Sequence, residues 1–278
     1  MKKMKKMKKM KNLLTAILLV ICVASTTYYI YIKYNEYQEQ KKIEELKEYT
    51  EQTQASTEYK GEEQSSEPTI SEEESTEFME PEEKKILPQY VRLYAENEDL
   101  YGWLKIEGTV IDYPVMYTPE SPEYYLHKDW NKEDSNQGLL FADARTDMDE
   151  TENTIIYGHC MKNRTMFGSL KDYKDSSFYD EHKYIEFDTI YEKATYEIVS
   201  VSKGIAYYEK EPENEYLYYK HTELDTEEAF DAYIQNAKNN AYYETGVTAE
   251  YGDKLITLST CDYWTKNARL YIVAKKIS

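Results

Sequence analysis

Residues 13–32, LLTAILLVICVASTTYYIYI, contain no charged side chain, and residues 1–11 just before them hold seven lysines and no acid. Twenty residues of helix rise about 30 Å, the thickness of a bilayer's hydrocarbon core. The run therefore reads as a transmembrane signal-anchor over 13–32 behind a basic tail over 1–12. Lysines mark the cytoplasmic side, so the N-terminus is expected inside the cell and everything after residue 32 outside it. The alternative is a cleaved signal peptide, since Val23-Ala24-Ser25 resembles a small-residue cleavage site. Apolar and tyrosine-rich character continues to Ile32 and favours the retained anchor. Cys22 follows Ile21, where lipid attachment needs a small residue, so it reads as an ordinary thiol in the apolar run.

Beyond the lysine block the charge balance inverts. The whole chain carries a formal −19, but without those seven lysines it holds 27 basic against 53 acidic residues, a net of −26. Such a body repels nucleic acid and has no basic stripe to bind it, which excludes that class of partner. From residue 33 to 83 the composition is Glu, Gln, Ser, Thr and Lys. NEYQEQKKIEELKEY (35–49) is predicted to continue the helix, and residues 50–83 are too polar to bury a core. The segment 33–83 is thus expected to be an acidic, partly disordered extracellular stalk that sets how far a domain beyond it reaches from the membrane.

Residues 84–278 are expected to form the globular domain. KKILPQYVRLYAENEDL reads as a helix leading in. Eight short β-prone runs come after it: YGWLKI, TVIDYPVM, GLLFAD, NTIIYGH, YIEFDTI, ATYEIVSVSKG, KLITLSTC and RLYIVAKKI. Their apolar residues alternate or run on, bounded by Gly, Pro, Asp or Asn. Helical patterns appear at TMFGSLKDY and at LDTEEAFDAYIQNAKNN, the second with Thr226 as N-cap and an apolar stripe through Leu224, Ala229, Phe230, Tyr233, Ile234 and Ala237. Eight strands with few helices between them predict a mainly β fold with peripheral helices, closed into a barrel rather than opened as a parallel α/β sheet. The 31 tyrosines read as amphipathic packing residues.

Three reactive side chains stand at ends of β-prone runs. Cys261 ends KLITLSTC, Arg269 opens RLYIVAKKI, and His159 ends NTIIYGH. A thiol is a nucleophile as thiolate and needs a cation or base beside it. His127, His182 and His221 lie in segments that read as surface or packing positions. No His/Cys/carboxylate cluster has metal-ligand spacing and no glycine-rich phosphate loop occurs, so neither a metal nor a cofactor is expected.

TLSTC (257–261), the Arg269 that begins RLYIVAKKI, and YGHCMKNRTMFGSL (157–170) together resemble a class B sortase, a membrane-anchored cysteine transpeptidase of Gram-positive cell surfaces. The resemblance covers roughly residues 87–278, and the helix inserted between the sixth and seventh strands fits class B rather than the shorter class A barrel. It implies a sortase-type eight-stranded barrel with Cys261 as nucleophile, His159 as proton carrier and Arg269 as donor to the substrate carbonyl or the developing oxyanion. Its partners would be secreted proteins bearing a C-terminal sorting motif, cut after Thr through a thioester, and a peptidoglycan amine as acceptor. It places the domain on the outer face of the membrane, towards the cell wall. By the same resemblance, Tyr125, Leu126, Ser259, Thr260 and Asp262 are candidate substrate contacts. Many class B members carry an Asn shortly before the Tyr-Leu pair, where this chain has Ser121, Pro122 and Glu123.

Cys160 adjoins His159, but on an extended strand neighbouring side chains point to opposite faces, so it is expected to face away and to be dispensable. Two other readings stay open. An L,D-transpeptidase or amidase also uses a cysteine and histidine, but lacks a strand-initial arginine after the thiol. A non-catalytic adhesin module fits the anchor and stalk, but usually carries its own C-terminal sorting signal, which VAKKIS does not resemble.

Overall fold

The structure, a computed structural model, describes residues 2–62, 84–147, 150–207, 212 and 215–278. It divides between Glu44 and Glu45 into two units.

The first unit is helical. Helix α1 runs Lys2–Glu62, and no Gly or Pro occurs in the sequence before Gly61 to break it. Within Lys9–Ser56 lies a stretch long and apolar enough to cross a membrane, with a mean hydropathy of 2.1 in its most apolar window and no residue of that window buried.

The second unit, Glu45–Ser278, begins inside α1 and departs from expectation in two ways. Residues 50–62, expected to be disordered, are helical, because Glu, Gln, Ala and Lys are good helix formers and continue a helix already held at its Leu46–Thr50 turn. Leu46 and Thr50 are buried, Lys47 reaches Asp112 at 3.4 Å, and the Arg92 guanidinium lies 4.7 Å over the Tyr49 ring. The compact unit thus starts well before residue 84. The expected stalk over residues 63–83 lies outside the described residues.

Helix α2 (Pro88–Glu96), with Pro at its first turn, leads into eight strands: β1 (Leu100–Lys105), β2 (Asp112–Met116), β3 (Leu140–Ala142), β4 (Asn153–Tyr157), β5 (Tyr184–Thr189), β6 (Thr195–Ile205), β7 (Leu255–Cys261) and β8 (Ala268–Lys276). They close in the order β1-β2-β3-β4-β7-β8-β6-β5. All eight expected runs form strands. Helix α3 (Ser176–Glu181) was not anticipated; Asp175 caps it by accepting from the Ser177 amide at 3.0 Å. Helix α4 (Glu227–Asn239) comes next, with Thr226 Oγ1 accepting from the Ala229 amide as its cap. TMFGSLKDY is a 3-10 helix over Phe167–Lys174 rather than an α-helix.

The interior is filled by residues such as Leu104, Val115, Ile155, Leu258 and Ile272, none with any exposure. Outside the barrel, α4 lays Phe230, Tyr233, Ile234 and Ala237 on Leu255, Tyr271 and Val273. Strands β7 and β8 are therefore covered on both faces, which is why their sequences run apolar rather than alternating.

Two pairings position the site. Strands β4 and β7 pair in parallel, Asn153↔Leu255 through Tyr157↔Ser259, so both end at one rim. Strand β8 is antiparallel to β7 and starts there, with Arg269 the register partner of Cys261.

Candidate active site

His159 and Cys261 each stand two residues beyond the last β4–β7 rung, Tyr157↔Ser259. The strand tips are stitched just before them: the Gly158 amide donates to Ser259 O at 3.2 Å, and Thr260 Oγ1 donates to Gly158 O at 2.7 Å. Gly158 is required there, since a Cβ would come within 2.4 Å of Leu140 Cδ2 and 2.7 Å of Phe167 Cδ2. Cys261, His159 and Arg269 line one cavity of about 590 Å³, within the range of ligand-binding clefts.

The half-buried His159 ring is oriented by a backbone group: its Nε2–H donates to Leu126 O at 2.9 Å. A carbonyl only accepts, so Nε2 carries the proton of the neutral ring and Nδ1 is the basic nitrogen. Burial pushes the His159 pKa below its ordinary value, the Leu126 carbonyl acts in the opposite sense, and the charge of His127 lowers it further. The two imidazoles lie 5.7 Å apart, centroid to centroid. His127 is thus at the surface, as expected, but beside the site. Arg269 Nη1 donates to Ala268 O at 2.9 Å, which holds the start of the side chain's fork at the rim. Gly204 is its partner on β6.

Of the other candidates, Leu126, Ser259 and Thr260 line the cavity, whereas Tyr125 and Asp262 do not. Tyr125 is fully buried, its hydroxyl donating to Asp99 Oδ2 at 2.8 Å and accepting from Asn97 Nδ2 at 2.9 Å. Asp262 turns away: Oδ2 accepts from Lys174 Nζ at 2.6 Å and Tyr242 OH at 3.3 Å, and Oδ1 from the Tyr263 amide at 2.8 Å. Burial alone would raise the Asp262 carboxyl, but Lys174 and the Tyr263 amide hold it below the usual range. Ser259 Oγ is tied to Tyr218 OH at 2.8 Å, and the Tyr218 ring stacks on Tyr271 at 3.9 Å. Pro122 and Glu123 also line the cavity.

Cys160 is buried, lies outside the cavity lining, and is unpaired with the other two cysteines. Burial pushes its thiol up.

Two features escaped the sequence. One is the Leu126 carbonyl as partner of His159, since a main-chain acceptor has no residue signature. The other is a clamp on the cavity wall. Asp143 accepts from Arg145 Nε at 2.8 Å, Arg145 Nη2 at 2.7 Å and Tyr157 OH at 2.9 Å, while Arg145 Nη1 donates to Lys220 O at 3.3 Å. The FADAR run shows an acid and a base two apart, but nothing in it reveals a grip on a segment 75 residues later.

The sortase domain family matches residues 104–277. Sortase B of Staphylococcus aureus (strain NCTC 8325 / PS 47) is 31% identical over 203 residues, 72% of this chain and 79% of its own length. Sortase B of Listeria monocytogenes is 36% identical over 167 residues, 60% of this chain and 64% of its own. Among solved structures, the Staphylococcus aureus sortase B–substrate complex matches with a TM-score of 0.69 at 27% identity, covering 87% of this chain and 98% of that one. With family match, curated relatives and fold in agreement, the chain belongs to the sortase family, as a cysteine transpeptidase of class B.

Proposed function

We propose that Cys261, His159 and Arg269 carry out the two half-reactions of sorting. The observation that carries this is their convergence on one cavity from the ends of three strands. In the first half, the Cys261 proton passes to His159 Nδ1 and the sulfur attacks the Thr carbonyl carbon of a C-terminal sorting motif. Arg269, charged at every physiological pH, donates to the developing oxyanion. The Thr carbon–nitrogen bond breaks, the His159 imidazolium protonates the leaving amine, and a thioester remains. In the second half, a peptidoglycan amine attacks the thioester carbon and gives its proton to His159. The carbon–sulfur bond breaks, and the surface protein is left joined to the wall by a new amide. Leu126 and Thr260 line the cleft as substrate contacts, Ser259 through its bond to Tyr218.

The apolar stretch of α1 serves as a single-pass anchor, with the lysine tail in the cytoplasm and the barrel outside, facing the wall. Cys160 takes no part.

The test is mass spectrometry of the detergent-solubilised full chain with a panel of sorting-motif peptides, wild type beside Cys261→Ala. A thioester adduct on wild type alone, from a peptide cut after Thr, is expected. An adduct that survives Cys261→Ala, or no cleavage of any peptide by folded protein, would overturn the assignment.

A further inference from the structure

A second cavity, of about 340 Å³, adjoins the first. Tyr218 lines both, and one run of chain passes between them: Lys203, Gly204 and Ile205 line the second, Ala206 and Tyr207 the first. Its rim includes Trp264, half exposed in the connection between Cys261 and Arg269. The two half-reactions of sorting make no use of it.

We propose that this cavity binds an N-acetylated amino sugar of the peptidoglycan strand that bears the attacking amine, which deepens the acceptor half of the proposed function and rests on it. The lining has the chemistry of a saccharide site. Trp264 offers a flat apolar face of the kind that packs on the C–H face of a pyranose ring. Asn236 and Asn240, at the end of α4, present complementary groups. Asn240 Nδ2 donates to Asn236 O at 3.0 Å, leaving its Oδ1 to accept. Asn236 Oδ1 accepts from Tyr271 OH at 3.4 Å, leaving its Nδ2 to donate. One donor beside one acceptor matches an acetamido group or a pair of vicinal hydroxyls. Tyr216, also in the lining, has its hydroxyl buried with no partner among the described residues.

Other ligand classes fit less well. An extended peptide that adds to a sheet needs a free strand edge, and β6 and β8 are paired on both sides in the closed barrel. A phosphate-bearing ligand needs clustered cations, and this cavity sets Lys203 against Glu215. The position suits an acceptor, because a sugar held against Trp264 directs its attached peptide along residues 204–207 towards the cavity of Cys261.

The test is calorimetric titration of the detergent-solubilised full chain, as Cys261→Ala so that no transfer occurs, with N-acetylglucosaminyl-N-acetylmuramyl dipeptide, and with cellobiose as the unacetylated control. Binding is expected for the first and not the second, with at least a tenfold loss in Trp264→Ala and in Asn240→Ala. With Cys261 intact, Trp264→Ala should form the acyl-enzyme from a sorting peptide at the wild-type rate while its KM for a disaccharide-linked stem peptide carrying a free side-chain amine rises at least tenfold. Equal affinity with and without Trp264, or no binding of the acetylated disaccharide, would overturn the proposal. The titration involves no chemistry, so the two readings fail separately. Trp264-dependent binding without any acyl-enzyme defeats the transpeptidase mechanism alone, and acyl-enzyme without saccharide binding defeats this proposal alone.

Discussion

At the scale of single residues, His159 couples stability to pH. Its charged form loses hydration in the cleft, so burial, opposed by the Leu126 carbonyl and aided by His127, holds its folded pKa below 6.5. The unfolded chain therefore takes up this proton first. Well above pH 6.5 the group contributes nothing to the pH dependence, and as pH falls through that value stability is lost, until the folded form is protonated as well. His221 is shifted the same way, by burial first and then by Arg145 and Lys220. The effect is thus read as a difference: between roughly pH 8 and 5, the Tm of wild type should drop more than that of His159→Gln, with the His221 contribution common to both. Parallel curves would refute the depressed value. Arg269 offers a second residue-scale expectation. Lysine keeps the charge but not the planar fork, so Arg269→Lys should lower kcat/KM by about 10²–10³, the size of one lost oxyanion donor. Its Tm should stay near wild type, and activity within about threefold of wild type would show that charge alone suffices.

At the scale of elements, the site depends on how the β7–β8 connection is held. Asp262, the first residue past Cys261, is pulled inward by Lys174 from the 3-10 helix at Phe167–Lys174, and its amide donates to Ala268 O at 2.8 Å. The carboxylate is almost fully buried, whereas Lys174 keeps 32% of its side chain in water. A double-mutant cycle of Lys174→Met with Asp262→Asn, read by urea unfolding, should give a coupling of about 1–2 kcal/mol, below the ~3–5 kcal/mol lost when a fully buried pair is broken. Coupling near zero would mean the pair is ornamental and the turn is held by backbone bonds alone. Asp262 also marks where sequence reading stops. The eight strands were legible because each is a short apolar run between turn residues, and Cys261, His159 and Arg269 were legible because each stands at the end of such a run. Which way Asp262 points was not, since it depends on a lysine 88 residues earlier. Likewise Tyr125 and Leu126 are adjacent and were indistinguishable in sequence, yet one is buried with its hydroxyl bonded to Asp99 and the other gives its carbonyl to His159. Helix α1 runs past Thr50 because a polar, breaker-free segment of good helix formers propagates a helix already nucleated and packed at Leu46–Thr50, which local composition does not reveal.

At the scale of the whole molecule, the distribution of charge argues for orientation. Seven lysines precede the apolar stretch and a net of −26 lies beyond them, so the positive-inside tendency predicts a cytoplasmic tail and a barrel outside. The three cysteines make this measurable without adding a reporter. Cys22 lies in the apolar run, Cys160 is buried, and Cys261 lines an open cavity, so a charged, membrane-impermeant maleimide can reach Cys261 in the folded protein far faster than the other two. Intact cells treated with that reagent should yield wild-type protein labelled once, at Cys261, and Cys261→Ala protein unlabelled. Denaturation should then expose the remaining thiols of both, which verifies that the unlabelled protein was present. Labelling of wild type only after the cells are opened would place the barrel in the cytoplasm, away from any wall acceptor. That result would sink the orientation and the anchoring role together, while leaving the barrel and its membership of the sortase family untouched.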